Sequence, residues 1–331
     1  MMKMEKKLLT AVIAAGLLAA VIAVGFWYLS NGKNSITVLA AGSLAVPFQK
    51  LSEIYENKYG IEVKIETAGS IETVKKVSEL HRQVDVVAVA DYKAIAGYLV
   101  PNYTSWYVRF AKNALVIVYT EHSKYASTIN TTNWPDILER DDVRIGFSSP
   151  NDDPCGYRAV MMFYLSDFLY EKNIFQNLVE NNTAIHAQNG EILVPDDSTL
   201  LKNQGKIYIK QKSVSLLGDL ETGNIDYAIE YLSVAKQHNL KYIPLPDKIN
   251  LSNSTLADFY SRAKVKLADG KIVKGDAINY AITVPNNAPN KNAAYQFVKL
   301  LLSNEGREVL QECGQPPMYQ EWGKVPEEIK T

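Results

Sequence analysis

Between residues 35 and 91 the chain alternates between extended apolar runs and helix-spaced ones, and this alternation leaves few folds open. Ser35 to Leu39 reads as a short apolar strand, after which Leu44, Phe48, Leu51 and Tyr55 recur at helical spacing as far as Gly60. Ile61 to Thr67 alternates apolar and charged residues, and Ile71, Val74, Val77 and Leu80 make the next helical face. VDVVAVAD, Val84 to Asp91, is nearly all apolar, as a strand covered on both faces is. A β-α-β-α-β succession of this kind predicts an α/β fold with a parallel sheet and right-handed crossovers.

The alternation continues downstream. NALVIVY (Asn113 to Tyr119), VRIGF (Val143 to Phe147) and DYAIEYL (Asp226 to Leu232) read as strands, and helices are expected around Trp134 to Leu138 and over Gly156 to Tyr170. YIPLP, Tyr242 to Pro246, reads as a connector. AKVKLADGKIVKG is an alternating hairpin turning at Asp269-Gly270, NYAITVP is a strand, and Ala293 to Leu302 begins the last amphipathic helix. Trp106, Tyr107 and Phe110 read as core or rim aromatics.

Two of the early strands end in the same dipeptide: AAGSL spans Ala40 to Leu44, and AGSI spans Ala68 to Ile71. In open α/β sheets ligands sit beyond the carboxyl ends of strands. Glycine, here Gly42 and Gly69, lets the backbone approach a ligand, while Ser43 and Ser70 are expected to cap the following helices and present hydroxyls. With the partial positive charge of each helix N-terminus, two such turns would cradle a small oxyanion.

The 331-residue chain has a formal net charge of -1, so no basic excess points to nucleic acid. Zinc-type Cys/His spacing, a P-loop and GxGxxG are all absent from the sequence. Lys3, Lys6 and Lys7 precede an uncharged run from Leu8 to Leu29, so residues 1–32 read as a signal sequence or a retained membrane anchor. The positive-inside rule then places the rest outside the cytoplasm. Sequons starting at Asn102, Asn130, Asn181, Asn250 and Asn253 fit that location. Cys155 and Cys313 are expected to stay as separate thiols.

GFSSPNDDPCGYRA (Gly146 to Ala159), YAIEYLSVA (Tyr227 to Ala235) and the AAGSL turn, with INYAITVPNNAPN and GQPPM, together resemble the archaeal molybdate/tungstate-binding proteins of ABC importers. The resemblance runs from about residue 35 to the C-terminus. It implies the two-lobed periplasmic-binding-protein fold of the second type, with residues 33–114 and 243–331 in one lobe and 115–242 in the other. It also implies crossings near Asn113 and Tyr242 and a ligand in the interlobe cleft. Residue by residue, it implies hydrogen bonds to the anion from Gly42, Ser43 and Ser70 on the first lobe. On the second lobe it implies Asp153 and Glu230 as ligands of the metal, with the Cys155 amide and the Tyr231 hydroxyl as further contacts. Asp153 is preferred to Asp152 because it directly precedes Pro154. The stretch from Ala184 to Asp197 resembles an insertion. The implied partners are the oxyanion, an ABC permease with its ATPase subunits, and the membrane through the N-terminal segment. The protein would act as a monomer, without a cofactor and without catalysis.

Two carboxylates in an anion site pose a physical conflict. At an effective dielectric of ~20, two like unit charges ~4 Å apart cost about 4 kcal/mol. The resemblance implies a resolution: molybdenum(VI) and tungsten(VI) accept more than four oxygen ligands, so Asp153 and Glu230 can coordinate the metal, which sulfate's sulfur does not allow. Two other readings stay open on the sequence. One is a receptor for sulfate, phosphate or a ferric complex; the other is an anchored glycosidase using paired carboxylates. The latter lacks a nucleophile elbow, and His81, His122, His186 and His238 lie in polar surroundings that suit surface residues.

Overall fold

The computed structural model describes residues 35–200 and 205–330. The expected signal or anchor at residues 1–32 lies outside the described residues. Among those described, no helix is long and apolar enough to cross a membrane.

The three early apolar runs form β1 (Ser35–Ala41), β2 (Glu62–Ala68) and β3 (Val86–Val89). They are followed in chain order by β4 (Trp106–Lys112), β5 (Leu115–Tyr119), β6 (Ile145–Ser148), β7 (His186–Gln188), β8 (Glu191–Leu193) and β9 (Ile207–Lys210). The remaining strands are β10 (Tyr227–Tyr231), β11 (Lys241–Pro244), β12 (Lys264–Lys266), β13 (Ile272–Lys274), β14 (Asn279–Thr283) and β15 (Pro317–Gly323). One sheet has the order β15-β4-β14-β3-β1-β2, a second the order β11-β5-β10-β6-β9, and a small third one the order β13-β12-β8-β7.

In the first sheet β1 runs parallel to both β2 and β3, with Ser35 opposite Glu62 and Val38 opposite Val86. The helices Ala45–Tyr59 and Ser70–Ser78 connect them, and the first ends at Gly60, whose φ of +66° is the left-handed conformation that glycine adopts without strain. The parallel arrangement expected of the β-α-β-α-β run holds for these three strands, and β14, β4 and β15 extend the sheet with antiparallel ones. β4 is hidden in the sequence because Arg109 interrupts the apolar run WYVRFA; its guanidinium lies 3.5 Å over the Tyr92 ring.

The chain leaves the first sheet between Lys112 and Leu115 and builds the second one. The fully buried β10 lies at its centre, antiparallel to β5 and parallel to β6. Tyr242 to Pro246 is not simply a connector, since Lys241–Pro244 pairs along β5 as an edge strand, the position in a sheet that tolerates proline. The insertion-like stretch supplies β7 and β8, and β8 pairs with β12 of the predicted hairpin. The chain re-enters the first sheet at Asn279. Lys291–Leu302 is not the last helix: Ser303 caps a further one, Asn304–Glu312, by accepting from the Gly306 amide. Both cysteines are buried and unpaired with each other.

Apolar side chains fill the space beneath the sheets, with the Phe48 ring 6.3 Å from Phe110 and 5.7 Å from Phe297. One buried carboxylate ties this core to the C-terminal part of the chain: Asp85 accepts from the Thr37 amide at 2.8 Å and from the Asn290 amide at 2.6 Å. Asp85→Ala leaves both amides without an acceptor and is expected to cost roughly 2–4 kcal/mol of unfolding free energy in a denaturant titration.

Candidate functional site

The turn after β2 and the loop before the Pro154–Tyr170 helix meet across the seam between the two large sheets. The Asp152 carbonyl accepts from the Ile71 amide at 2.9 Å and the Glu72 amide at 3.2 Å, at the N-terminus of the Ser70–Ser78 helix. The approach is so close that a Cβ on Gly69 would lie 2.3 Å from that carbonyl oxygen. Glycine at this turn therefore serves contact between the sheets as much as approach to a ligand.

Neither serine caps its helix. Ser43 lies in a 3-10 turn, Gly42–Leu44, and Ser70 is the first residue of its own helix; neither makes a side-chain capping bond. Their hydroxyls are engaged elsewhere, which is why the expected caps are absent. Ser70 Oγ accepts from the Ala90 amide at 2.9 Å, which leaves its hydrogen free to donate. Ser43 Oγ pairs with the Tyr280 hydroxyl at 2.9 Å, and Asn113 Nδ2 donates to that same hydroxyl at 2.8 Å. Gly42 faces the loop after β9, where a Cβ would lie 3.0 Å from Val214.

On the second sheet, Asp153 is the N-cap of the Pro154–Tyr170 helix. Its Oδ1 accepts from the Cys155 amide at 3.1 Å and its Oδ2 from the Ser213 amide at 2.9 Å. The Cys155 amide, expected to donate to an anion, is thus held by the neighbouring carboxylate. Burial raises the Asp153 carboxyl above its ordinary range, and the two amide bonds oppose that rise. Asp152 differs: its burial and a hydrogen bond with Asp197 raise its carboxyl to about 7.

Glu230 lies on β10 with no exposed surface. Its Oε2 accepts from the Tyr231 amide and lies 4.0 Å from Cys155 Sγ, while its Oε1 is buried without a hydrogen-bond partner. Burial pushes its carboxyl up to about 8. The Tyr231 hydroxyl accepts from Arg158 Nη1 at 2.7 Å, and its ring lies 6.0 Å from that of Tyr280.

The sequence-predicted residues thus fall into one buried, connected set: Ser43 is 4 % exposed, Ser70 0 %, Asp153 5 % and Glu230 0 %. Sequence reasoning missed Tyr280, Asn113, Ser213, Asp91, Arg158 and Gln315. Arg158 is the one cation in GFSSPNDDPCGYRA, and Gln315, whose Nε2 donates to the Ser43 carbonyl at 2.9 Å, sits in GQPPM; both stood inside motifs already singled out. All four histidines are exposed, which removes them as general bases in the cleft.

A profile of the family described as bacterial extracellular solute-binding protein matches residues 36–314. The chain is 46 % identical to the molybdate/tungstate-binding protein WtpA of Thermococcus kodakarensis, over 91 % of this chain and 88 % of the relative. It is 45 % identical to a solute-binding protein of Staphylothermus marinus, over 96 % of this chain and 95 % of that one. Among solved structures, the periplasmic molybdate-binding protein of Azotobacter vinelandii matches with a TM-score of 0.58 at 13 % identity, covering 85 % of this chain and 98 % of that one. The sulfate-binding protein SubI of Mycobacterium tuberculosis also gives 0.58, at 12 % identity, over 86 % of this chain and 87 % of that one. At such identities the structural matches bear on the fold, which is the α/β periplasmic-binding-protein fold. The sequence matches bear on kinship: the chain belongs to the extracellular solute-binding protein family, whose members bind and carry solutes rather than transform them.

Proposed function

We propose that the protein is the extracytoplasmic substrate-binding subunit of an ABC importer and that it captures tungstate or molybdate between its two large sheets. The first sheet forms one lobe and the second sheet the other; because β11 (Lys241–Pro244) still lies in the second sheet and β12 and β13 pair with β8 in the third, the second lobe extends past the expected boundary at residue 243 and the return crossing lies near Asn279 rather than Tyr242. The observation that carries the ligand class is the pair of carboxylates, Asp153 and Glu230, buried in a cleft whose other wall offers serine hydroxyls. Tetrahedral sulfate would meet two carboxyl groups with nothing to coordinate, whereas an expandable metal centre gives the unpartnered Glu230 Oε1 a bond to form. The free hydrogen on Ser70 Oγ and the hydroxyls of Ser43 and Tyr231 are donors to the oxo groups. Cys155 contributes by orienting Asp153 through its amide. The 46 % identity to a molybdate/tungstate-binding protein supports the same ligand. Delivery to a permease and its ATPase subunits, attachment to the membrane through residues 1–32, action as a monomer and the absence of a cofactor complete the reading.

Calorimetric titration of the full chain in mild detergent tests the proposal. Tungstate and molybdate are expected to bind tightly at one site, and sulfate to give no heat; tight sulfate binding would overturn the ligand assignment. Glu230→Gln and Asp153→Asn are each expected to weaken tungstate binding at least 100-fold, by roughly 3 kcal/mol or more. Ser43→Ala is expected to cost about 1–3 kcal/mol through the lost hydrogen bond to a charged ligand.

Proton linkage separates coordination from hydrogen bonding. A Glu230 carboxyl raised to about 8 is largely protonated at pH 7, and coordination requires the carboxylate. Binding at pH 7 should therefore release up to about one proton per ion, and affinity should rise with pH until about 8. The raised value has the opposite sign for stability: the folded protein holds this proton in a window where the unfolded chain has lost it. Ligand-free stability should thus fall as pH rises from the ordinary glutamate range to about 8. Titrations in buffers of different ionisation enthalpy read the proton count. Release that is lost in Glu230→Gln is expected; no release in the native protein would contradict coordination by Glu230.

A further inference from the structure

We infer that Arg158 and Asp91 form a buried latch that holds the two lobes together without touching the ion, so that affinity is set partly by this contact. The inference rests on the two sheets being lobes that separate. Asp91 follows β3 and belongs to the first lobe, where its Oδ1 caps the Tyr92–Tyr98 helix by accepting from the Lys93 amide at 2.9 Å. Arg158 belongs to the Pro154–Tyr170 helix of the second. Its Nη2 lies 2.9 Å from Asp91 Oδ2, with the side chains 3 % and 5 % exposed. Its Nη1 donates across the seam to the Ala90 carbonyl at 2.9 Å, and within its own lobe to the Tyr231 hydroxyl at 2.7 Å. Tyr157 of the second lobe adds a bond to Asp91 Oδ2 at 2.6 Å.

Every group on both sides of this latch would regain water if the lobes parted. A charge pair this deeply desolvated gives little net attraction, but removing one partner leaves the other buried and uncompensated. The closed state therefore depends on both members being present. Ala90 links the latch to the ligand: its carbonyl receives Arg158, and its amide donates to Ser70 Oγ. Tyr231 makes the second link, since it follows Glu230 and receives Arg158 on its hydroxyl. The latch is thus placed to bring Ser70 and Glu230 into position together, and Arg158 is a positioning residue.

The Asp152 carbonyl on the Ile71 and Glu72 amides closes the same seam beside it, with Gly69 leaving room. This second contact gives a variant free of charge effects. Gly69 has φ -62° and ψ 148°, which alanine adopts without strain, so Gly69→Ala keeps the turn's backbone and sets its methyl against the Asp152 carbonyl, where it obstructs closure.

The test uses pulsed electron resonance between spin labels on the full chain at Glu53→Cys and Asp141→Cys, both exposed and on opposite lobes. It is paired with tungstate titration and a thermal melt. In the native protein tungstate is expected to shift the distance distribution to its short component. Arg158→Met should deplete that component without ligand and weaken tungstate binding ~100-fold or more. Gly69→Ala should do the same about tenfold, because a tenfold smaller competent fraction weakens apparent affinity tenfold. Asp91→Asn combined with Arg158→Met should recover at least tenfold over Arg158→Met alone, since no uncompensated charge remains. If tungstate closes the native protein while both Arg158→Met and Gly69→Ala keep native distances and bind within threefold of it, the latch is wrong. Should Arg158→Met fail to fold, Asp91→Asn alone, which removes the latch's carboxylate, decides by the same criterion. A distance that never changes in the native protein, despite tight tungstate binding, would contradict moving lobes and the latch with them, and would leave the ligand assignment standing.

Discussion

Burial of the Asp153 and Glu230 carboxyl groups beside the proposed anion cradle is the constraint on which the rest of the proposed site depends. A buried carboxylate needs compensation, and the two groups obtain it differently. Asp153 has an amide on each oxygen, from Cys155 and Ser213. Glu230 has one oxygen on the Tyr231 amide and the other without a hydrogen bond; burial pushes its carboxyl up to about 8, and the nearby Ser213 hydroxyl opposes that rise. Burial raises both carboxyl groups, and at Asp153 the two amides oppose that rise. A metal centre able to add oxygen ligands is a chemical replacement for the proton on Glu230, and a simple tetrahedral anion is not.

The surrounding fold keeps these groups dry and aligned. Glu230 sits on the central strand of its sheet, where neither face meets water, and Asp153 is fixed as a helix cap. The serines on the facing lobe have their oxygens occupied by the Ala90 amide and the Tyr280 hydroxyl, so their positions are set by the core of that lobe rather than by a ligand. The seam between lobes is closed by buried polar contacts, with Arg158, Asp91 and the Asp152 carbonyl at its centre. In the proposed site the contacts for recognition and for closure adjoin one another and share the Tyr231 hydroxyl, which accepts from Arg158.

Much of this was legible in the sequence. Strands covered on both faces announced themselves as apolar runs, and the two Gly-Ser turns marked the strand ends that meet the other lobe. The carboxylates stood in motifs whose resemblance was specific. What could not be read was which hydroxyl bonds what. Ser43 and Ser70 have the residue type and position of helix caps, yet long-range partners at Tyr280 and Ala90 take their oxygens. The function of Arg158 was equally hidden, because its partner Asp91 lies 67 positions earlier, at the end of a strand where it reads as an ordinary cap. The antiparallel half of the first sheet was obscure for a related reason: β15 comes from the far end of the chain and is largely exposed, so it carries little apolar pattern.

The most direct measurement is tungsten-edge X-ray absorption on the full chain loaded with one equivalent of tungstate. Coordination by Asp153 and Glu230 predicts more than four oxygen neighbours, with longer metal–oxygen distances added to the short oxo bonds, and their loss in Glu230→Gln. Four equal short bonds, unchanged from free tungstate, would contradict the account and make the carboxyl groups hydrogen-bonding walls of the cleft instead of ligands.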